Sequence, residues 1–166
     1  VRKYENVSRV GEDIALGQKI IGRGETVRAQ HVASAIAVGV DSIEVYRILE
    51  LGIISTGGEI VPDGDVKNTT QPLLASYFST PYLHTHDLGV VPDEKVSIRD
   101  AVKKVINSHD MIVVTGGTSL GAKDLVVDAL DELGDMVFGG VMIRPGRTIS
   151  VYDIGGKPVF SVSGLP

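Results

Sequence analysis

Met111-Ile112-Val113-Val114-Thr115-Gly116-Gly117-Thr118-Ser119-Leu120-Gly121-Ala122-Lys123-Asp124 is an apolar run that breaks into glycines and small hydroxyls before a helical pattern begins. It reads as a buried strand, a tight loop and a helix start. Such a junction aims unpaired backbone N–H groups and the positive end of a helix dipole at one spot, where an anion such as phosphate can be held. A Gly-Gly turn after a strand also lets a helix pack closely on a sheet, so the stretch alone leaves both roles open.

Outward from this junction, apolar strand runs alternate with helix-length amphipathic segments. Leu51 to Ser55, Tyr82 to Leu88 and Met111 to Thr115 read as strands; Gln71 to Phe78, Ile98 to Asn107 and Asp124 to Leu133 read as helices. The alternation predicts an α/β fold with a mostly parallel sheet and helices on both faces. Toward the end, Val137 to Ile143, Thr148 to Tyr152 and Pro158 to Val162 are β-like runs joined by short Gly/Pro turns, which predicts a hairpin or mixed strands closing the sheet. Residues 1–47 differ in character and are expected to form a small β-rich appendage before a main domain over 48–166. There Val7 to Val10, Lys19 to Ile21 and Ser42 to Tyr46 look like strands, and one helix is expected from Val27 to Val38 between Thr26 and Gly39.

Composition excludes several function classes. With 166 residues, 43% of them apolar, and a mean hydropathy of +0.17, the chain can bury a real core and is not a disordered segment. A net charge of −5 argues against a general nucleic-acid or anionic-membrane surface, while leaving room for a local anion site built from backbone dipoles. The absence of cysteine rules out disulfides, thiolate metal sites and cysteine nucleophiles. No window approaches the roughly 20 apolar residues of a membrane span, and the expected setting is cytoplasmic.

Ligands of open α/β sheets gather at the carboxyl ends of the strands, which directs attention to three loops. They are Ser55-Thr56-Gly57-Gly58-Glu59, Gly89-Val90-Val91-Pro92-Asp93-Glu94 and the glycine loop itself. Walker A is excluded because no Lys-Ser or Lys-Thr ends the loop, and no G-x-G-x-x-G run is present. Asp124 at the helix start reads first as a cap or dipole complement, the favoured role for this residue taken alone, and second as a group to bind Mg²⁺ or orient a ligand hydroxyl. Arg144-Pro145-Gly146-Arg147 places two guanidinium groups around a rigid turn, a form suited to phosphate or another tetrahedral oxyanion and also common in solvated turns. His84 and His86 share a strand face without a third clustered ligand, His31 and His109 look solitary, and Asp63-Gly64-Asp65 reads as a turn.

Taken in order, these motifs resemble a known family. Val10-Gly11-Glu12-Asp13-Ile14 with Ile20 to Gly24 and the following helix resembles the lead into the central domain of the molybdopterin molybdotransferases, the MoeA and gephyrin E-domain type. Ile54-Ser55-Thr56-Gly57-Gly58-Glu59-Ile60 resembles the family's ISTGDEL motif, and Leu88 to Glu94 its GIVPDD turn. Gly116-Gly117-Thr118-Ser119-Leu120-Gly121-Ala122-Lys123-Asp124 resembles GGVSVGxxD, Arg144-Pro145-Gly146-Arg147 resembles KPGKP, and Gly164-Leu165-Pro166 resembles the opening of GLPGNP.

The resemblance implies a three-layer α/β/α domain of the MogA-like kind. It implies a reaction in which adenylylated molybdopterin and molybdate, or tungstate, give molybdenum cofactor and AMP with Mg²⁺ assisting, in a homodimer or higher homo-oligomer. By the same resemblance, Ser55, Thr56, Gly57, Gly116, Gly117, Thr118, Ser119, Gly121, Arg144, Pro145, Gly146, Arg147 and Pro166 would contact the pterin substrate. Asp124 and Glu59 would serve catalysis, with Asp124 also the metal ligand. Two departures stand out: Gly58 replaces a family Asp, and Asn68-Thr69-Thr70 stands where the family commonly has DSN. They keep two alternatives in view, a binding or scaffold module without catalysis and a MogA-like molybdopterin adenylyltransferase.

Overall fold

The computed structural model describes residues 4–57, 67–116, 124–144 and 146–164. The backbone divides into two compact units, Val1–Tyr46 and Arg47–Pro166.

In the first unit the described secondary structure is one helix, α1 (Ala29–Ala37). His31 N–H donates to the Arg28 carbonyl at 2.9 Å while Arg28 N–H donates to His31 Nδ1 at 3.2 Å, a reciprocal start that His31 supplies in place of the more usual acidic side chain. The β-rich expectation is corrected here: residues 7–10, 19–21 and 42–46 form no strands. Local turns take their place. Glu12, Gln18 and Glu25 each accept a hydrogen bond from the N–H three residues earlier, at Arg9 (2.7 Å), Ala15 (2.9 Å) and Gly22 (2.9 Å). Side chains that bond nearby backbone donors compete with ladder formation.

The second unit is a six-stranded sheet between helices. Its strands are β1 (Leu49–Thr56), β2 (Leu83–Val91), β3 (Met111–Thr115), β4 (Asp135–Gly139), β5 (Ser150–Ile154) and β6 (Lys157–Val162), in the order β2-β1-β3-β6-β5-β4. β2, β1, β3 and β6 run parallel; β5 is antiparallel to both β6 and β4. The helices are α2 (Thr70–Tyr77), α3 (Lys95–Val105) and α4 (Leu125–Leu130). This is the three-layer α/β/α arrangement with a mostly parallel sheet.

Alternation along the strands builds two cores. Ile54, Ile112, Val114 and Val159 face α3 and α4, where they pack with Ile98, Val102, Val126, Ala129 and Leu130. Leu51, Ile53 and Val113 face the other way, against Leu74, Ala75 and Phe78 in and just after α2. Each fully buried Leu, Ile or Val contributes about 1.5–3 kcal/mol, which makes β1 and β3, buried on both faces, the axis of the fold. The closing hairpin joins β5 to β6 through Gly155-Gly156, with φ of +63° and +80°, the left-handed pair that a two-residue turn between twisted strands requires. β4 begins two residues earlier than its apolar run suggests, at Asp135, because pairing with β5 from Asp153 to Ser150 sets its span.

Candidate functional site at the carboxyl ends of β1, β3 and β6

The chain leaves β1 toward α2 on one face of the sheet and leaves β3 toward α4 on the other. Neighbouring strands whose exits diverge in this way leave a crevice between their carboxyl ends, the usual ligand position in open α/β sheets. The residues bordering it are small and polar although they are buried. Ser55, Thr56, Thr115 and Ser161 are all at most 1% exposed.

Hydrogen bonds knit these strand ends together. Gly57 N–H donates to the Val91 carbonyl at 3.3 Å, and Gly116 N–H to the Val162 carbonyl at 3.2 Å, so β1 meets β2 and β3 meets β6 up to their last residues. Asn68 Nδ2 donates to Ser55 Oγ at 2.9 Å, Thr115 Oγ1 donates to Ser55 Oγ at 3.4 Å, and Thr70 Oγ1 donates to the Gly164 carbonyl at 2.5 Å. A Cβ on Gly116 would collide with the Thr56 carbonyl, and one on Gly164 would lie 3.0 Å from the Gly116 Cα. Only glycine lets three backbones approach this closely. Thr56 Oγ1 and Ser161 Oγ are buried with no hydrogen-bond partner among the described residues.

Asp124 caps α4 by accepting from Val127 N–H at 3.1 Å. Burial pushes its carboxyl above the ordinary value, the bonds from Val127 and Val126 N–H oppose this, and the charges of Asp128 and Asp93 add to the rise. The ionised form is therefore short of positive charge, an environment a bound cation would relieve.

The sequence candidates thus fall into three groups. Ser55, Thr56, Gly57 and Gly116 come together at the crevice, and Asp124 opens the helix that follows β3 on the α4 face. Arg144, Gly146 and Arg147 lie in the β4–β5 loop at the same end of the sheet, but β6 and β5 separate them from β3. Both arginines are exposed and border a surface hollow with Gly140, Val141, Met142 and Ile143. Glu59, Gly117, Thr118, Ser119, Gly121, Pro145 and Pro166, like Gly58, lie outside the described residues. Asn68, Thr70, Thr115, Ser161 and Gly164 belong to the strand-end network without having been picked as site residues. For Thr115 and Ser161 the signal was a small hydroxyl in or closing an apolar run; Asn68, Thr70 and Gly164 stood out only in motifs compared with the family.

Three of the four histidines, His84, His86 and His109, gather toward the opposite end of the sheet. His86 and His84 both approach Glu50, His84 at 3.6 Å, and the His86 ring meets His109 edge-on at 5.2 Å between centroids. His109 is not solitary: it is 9% exposed, and its Nδ1 lies 3.0 Å from the Val105 carbonyl. Among the described residues no group of three or more His, Asp or Glu side chains is disposed to hold a metal ion. No helix among them is long and apolar enough to cross a membrane.

Comparison with known proteins gives a consistent picture. Residues 52–166 match the family described as "probable molybdopterin binding domain". A protein described as a molybdopterin biosynthesis protein in Methanocaldococcus jannaschii is 33% identical, aligned over 100% of this chain and 45% of its own. A molybdopterin molybdenumtransferase of Haemophilus influenzae is 25% identical over 86% of this chain and 37% of its own. The crystal structure of a molybdopterin biosynthesis MoeA protein from Pyrococcus horikosii superimposes with a TM-score of 0.81 and 31% identity, over 94% of this chain and 40% of that one. The chain spans less than half the length of each of these relatives.

Proposed function

Because this chain belongs to the molybdopterin-binding domain family, we propose that it holds molybdopterin, adenylylated or free, in the crevice at the ends of β1, β3 and β6. Within a longer protein it would serve molybdate or tungstate insertion with release of AMP. The observation that carries this reading is at these strand ends, where the buried Thr56 hydroxyl, without a partner among the described residues, stands beside the closely packed Gly116. A buried donor without a partner costs about 1–3 kcal/mol, and a ligand oxygen would recover it.

Hydroxyls at the strand ends and, by the family resemblance, N–H groups of the glycine loop would orient the pterin phosphate and keep water from it. Asp124 fits a Mg²⁺ role, since Mg²⁺ takes one or two carboxylates and completes its shell with water and phosphate oxygens. When bound, the ion would neutralise charge on the phosphates. Glu59 and the Gly117 to Gly121 loop are assigned by family resemblance to the same cleft. Arg144 and Arg147, two strands away, would reach only a more distant part of an extended substrate.

Molybdopterin binding to Thr56→Val and Asp124→Ala tests the assignment. Thr56→Val keeps the shape and removes an unpartnered polar atom, so its stability should hold or rise while affinity falls about tenfold or more. Unchanged affinity in both variants would sink the site. A second reading, binding without catalysis, is favoured by Gly58 in place of the family Asp. AMP release on addition of molybdate to the unmodified full-length protein refutes it.

A further inference from the structure

Asn68 is held in one orientation by the backbone. Gln71 N–H donates to Asn68 Oδ1 at 3.2 Å, and since a backbone N–H can only donate, the oxygen must face it. The amide nitrogen is thereby turned to Ser55 Oγ, 2.9 Å away, where it donates. Thr115 Oγ1 donates to the same oxygen at 3.4 Å.

Counting protons gives the consequence. Ser55 Oγ has two acceptor sites and one O–H; both neighbours donate to it, so its own proton is surplus, with no acceptor among the described residues. If the Ser55–Thr115 bond reverses, the surplus passes to Thr115 and does not vanish. An Asp at position 68 would change the count, because a carboxylate accepts the Ser55 proton, Ser55 accepts the Thr115 proton, and none is left over.

We propose that a neutral Asn68, by offering the buried Ser55–Thr115 pair a donor and no acceptor, leaves one O–H of that pair in surplus for a tetrahedral oxyanion at the strand ends. This rests on the crevice being the molybdopterin site. The shared chemistry is that of a phosphate monoester and of a tetraoxometallate, and Asn68 is a positioning residue that acts on either through Ser55. Thr56, one residue along and without a partner among the described residues, adds a second buried hydroxyl at the same strand end.

The test is calorimetric binding of inorganic phosphate and, separately, of molybdate to the full chain at pH 8, with folding of each variant checked by circular dichroism. Asn68→Asp should weaken binding tenfold or more. Asn68→Ala, which leaves one spare proton on the hydroxyl pair, should stay within threefold of the parent; a merely structural asparagine would lose as much with Ala as with Asp. In a Ser55→Ala background, the further loss on Asn68→Asp should shrink below threefold, whereas plain charge repulsion would leave it unchanged and overturn the proposal. If Asn68→Asp does not fold, Ser55→Ala combined with Thr115→Val, which removes both hydroxyls, decides: a tenfold loss supports the proposal, and binding within threefold of the parent overturns it. A parent that binds molybdopterin but neither anion refutes this inference and spares the functional reading. A parent that binds none of the three refutes that reading as well.

Discussion

Gly116 sits at φ +98° with the Thr56 carbonyl where a Cβ would go, so two separate penalties fall on any substitution there. Gly116→Ala should cost at least about 2 kcal/mol, from left-handed backbone strain plus the displacement of β1 that relieving the contact demands. Urea unfolding measures this; a change below about 0.5 kcal/mol would mean that the strand ends are not as close as they stand here. This residue was legible in the sequence as the first glycine after a buried run. Its collision partner, sixty positions earlier in the chain, was not.

At the scale of the element, the cap of α4 and the metal role proposed for it place opposite demands on one carboxylate. The helix has only 6 residues, and Asp124 supplies its cap while burial disfavours the charge that makes Asp a metal ligand. Asp124→Ala should lose the cap, about 1 kcal/mol, whereas Asp124→Asn keeps an acceptor for Val127 N–H and sheds the buried charge, so its stability should match or exceed the parent's. Thermal melts separate the two. Loss of Mg²⁺-dependent binding in both variants, set against divergent stabilities, would identify a residue kept for its charge.

For the molecule as a whole, the resolved carboxylate shifts predict the response to acid. The Arg47 guanidinium and Glu50 N–H hold Asp110 well below its ordinary 3.8, His86 lowers Glu50, and Lys95 with Arg99 lowers Glu132. Groups depressed on folding add stability above their unfolded values and lose it as pH falls through the folded ones. Stability should therefore drop from about pH 4.5 downward. Asp124, raised on folding, works in the other direction and only softens the fall. Urea midpoints from pH 7 to 3 should decline in the parent and decline less in Asp110→Asn; a parent flat to pH 3 would contradict the pairing.

The sequence by itself determined the parallel α/β core, because continuous apolar runs and amphipathic helices are local patterns that hold wherever the segment is placed. It pointed to Gly116 as the break at the end of β3 for the same reason. The tertiary structure decided what those patterns meet. Strand order brought β6 beside β3 and placed Gly164 against Gly116, and β1 and β3 send the chain to opposite faces of the sheet. Asn68 and Ser55 were joined across thirteen residues, while the arginine turn was set two strands away. Near residue 12, side chains bonding the adjacent backbone replaced the strands that the apolar runs suggested. Propensity acts between neighbours, whereas the polarity of a buried hydroxyl depends on which donors the fold carries to it.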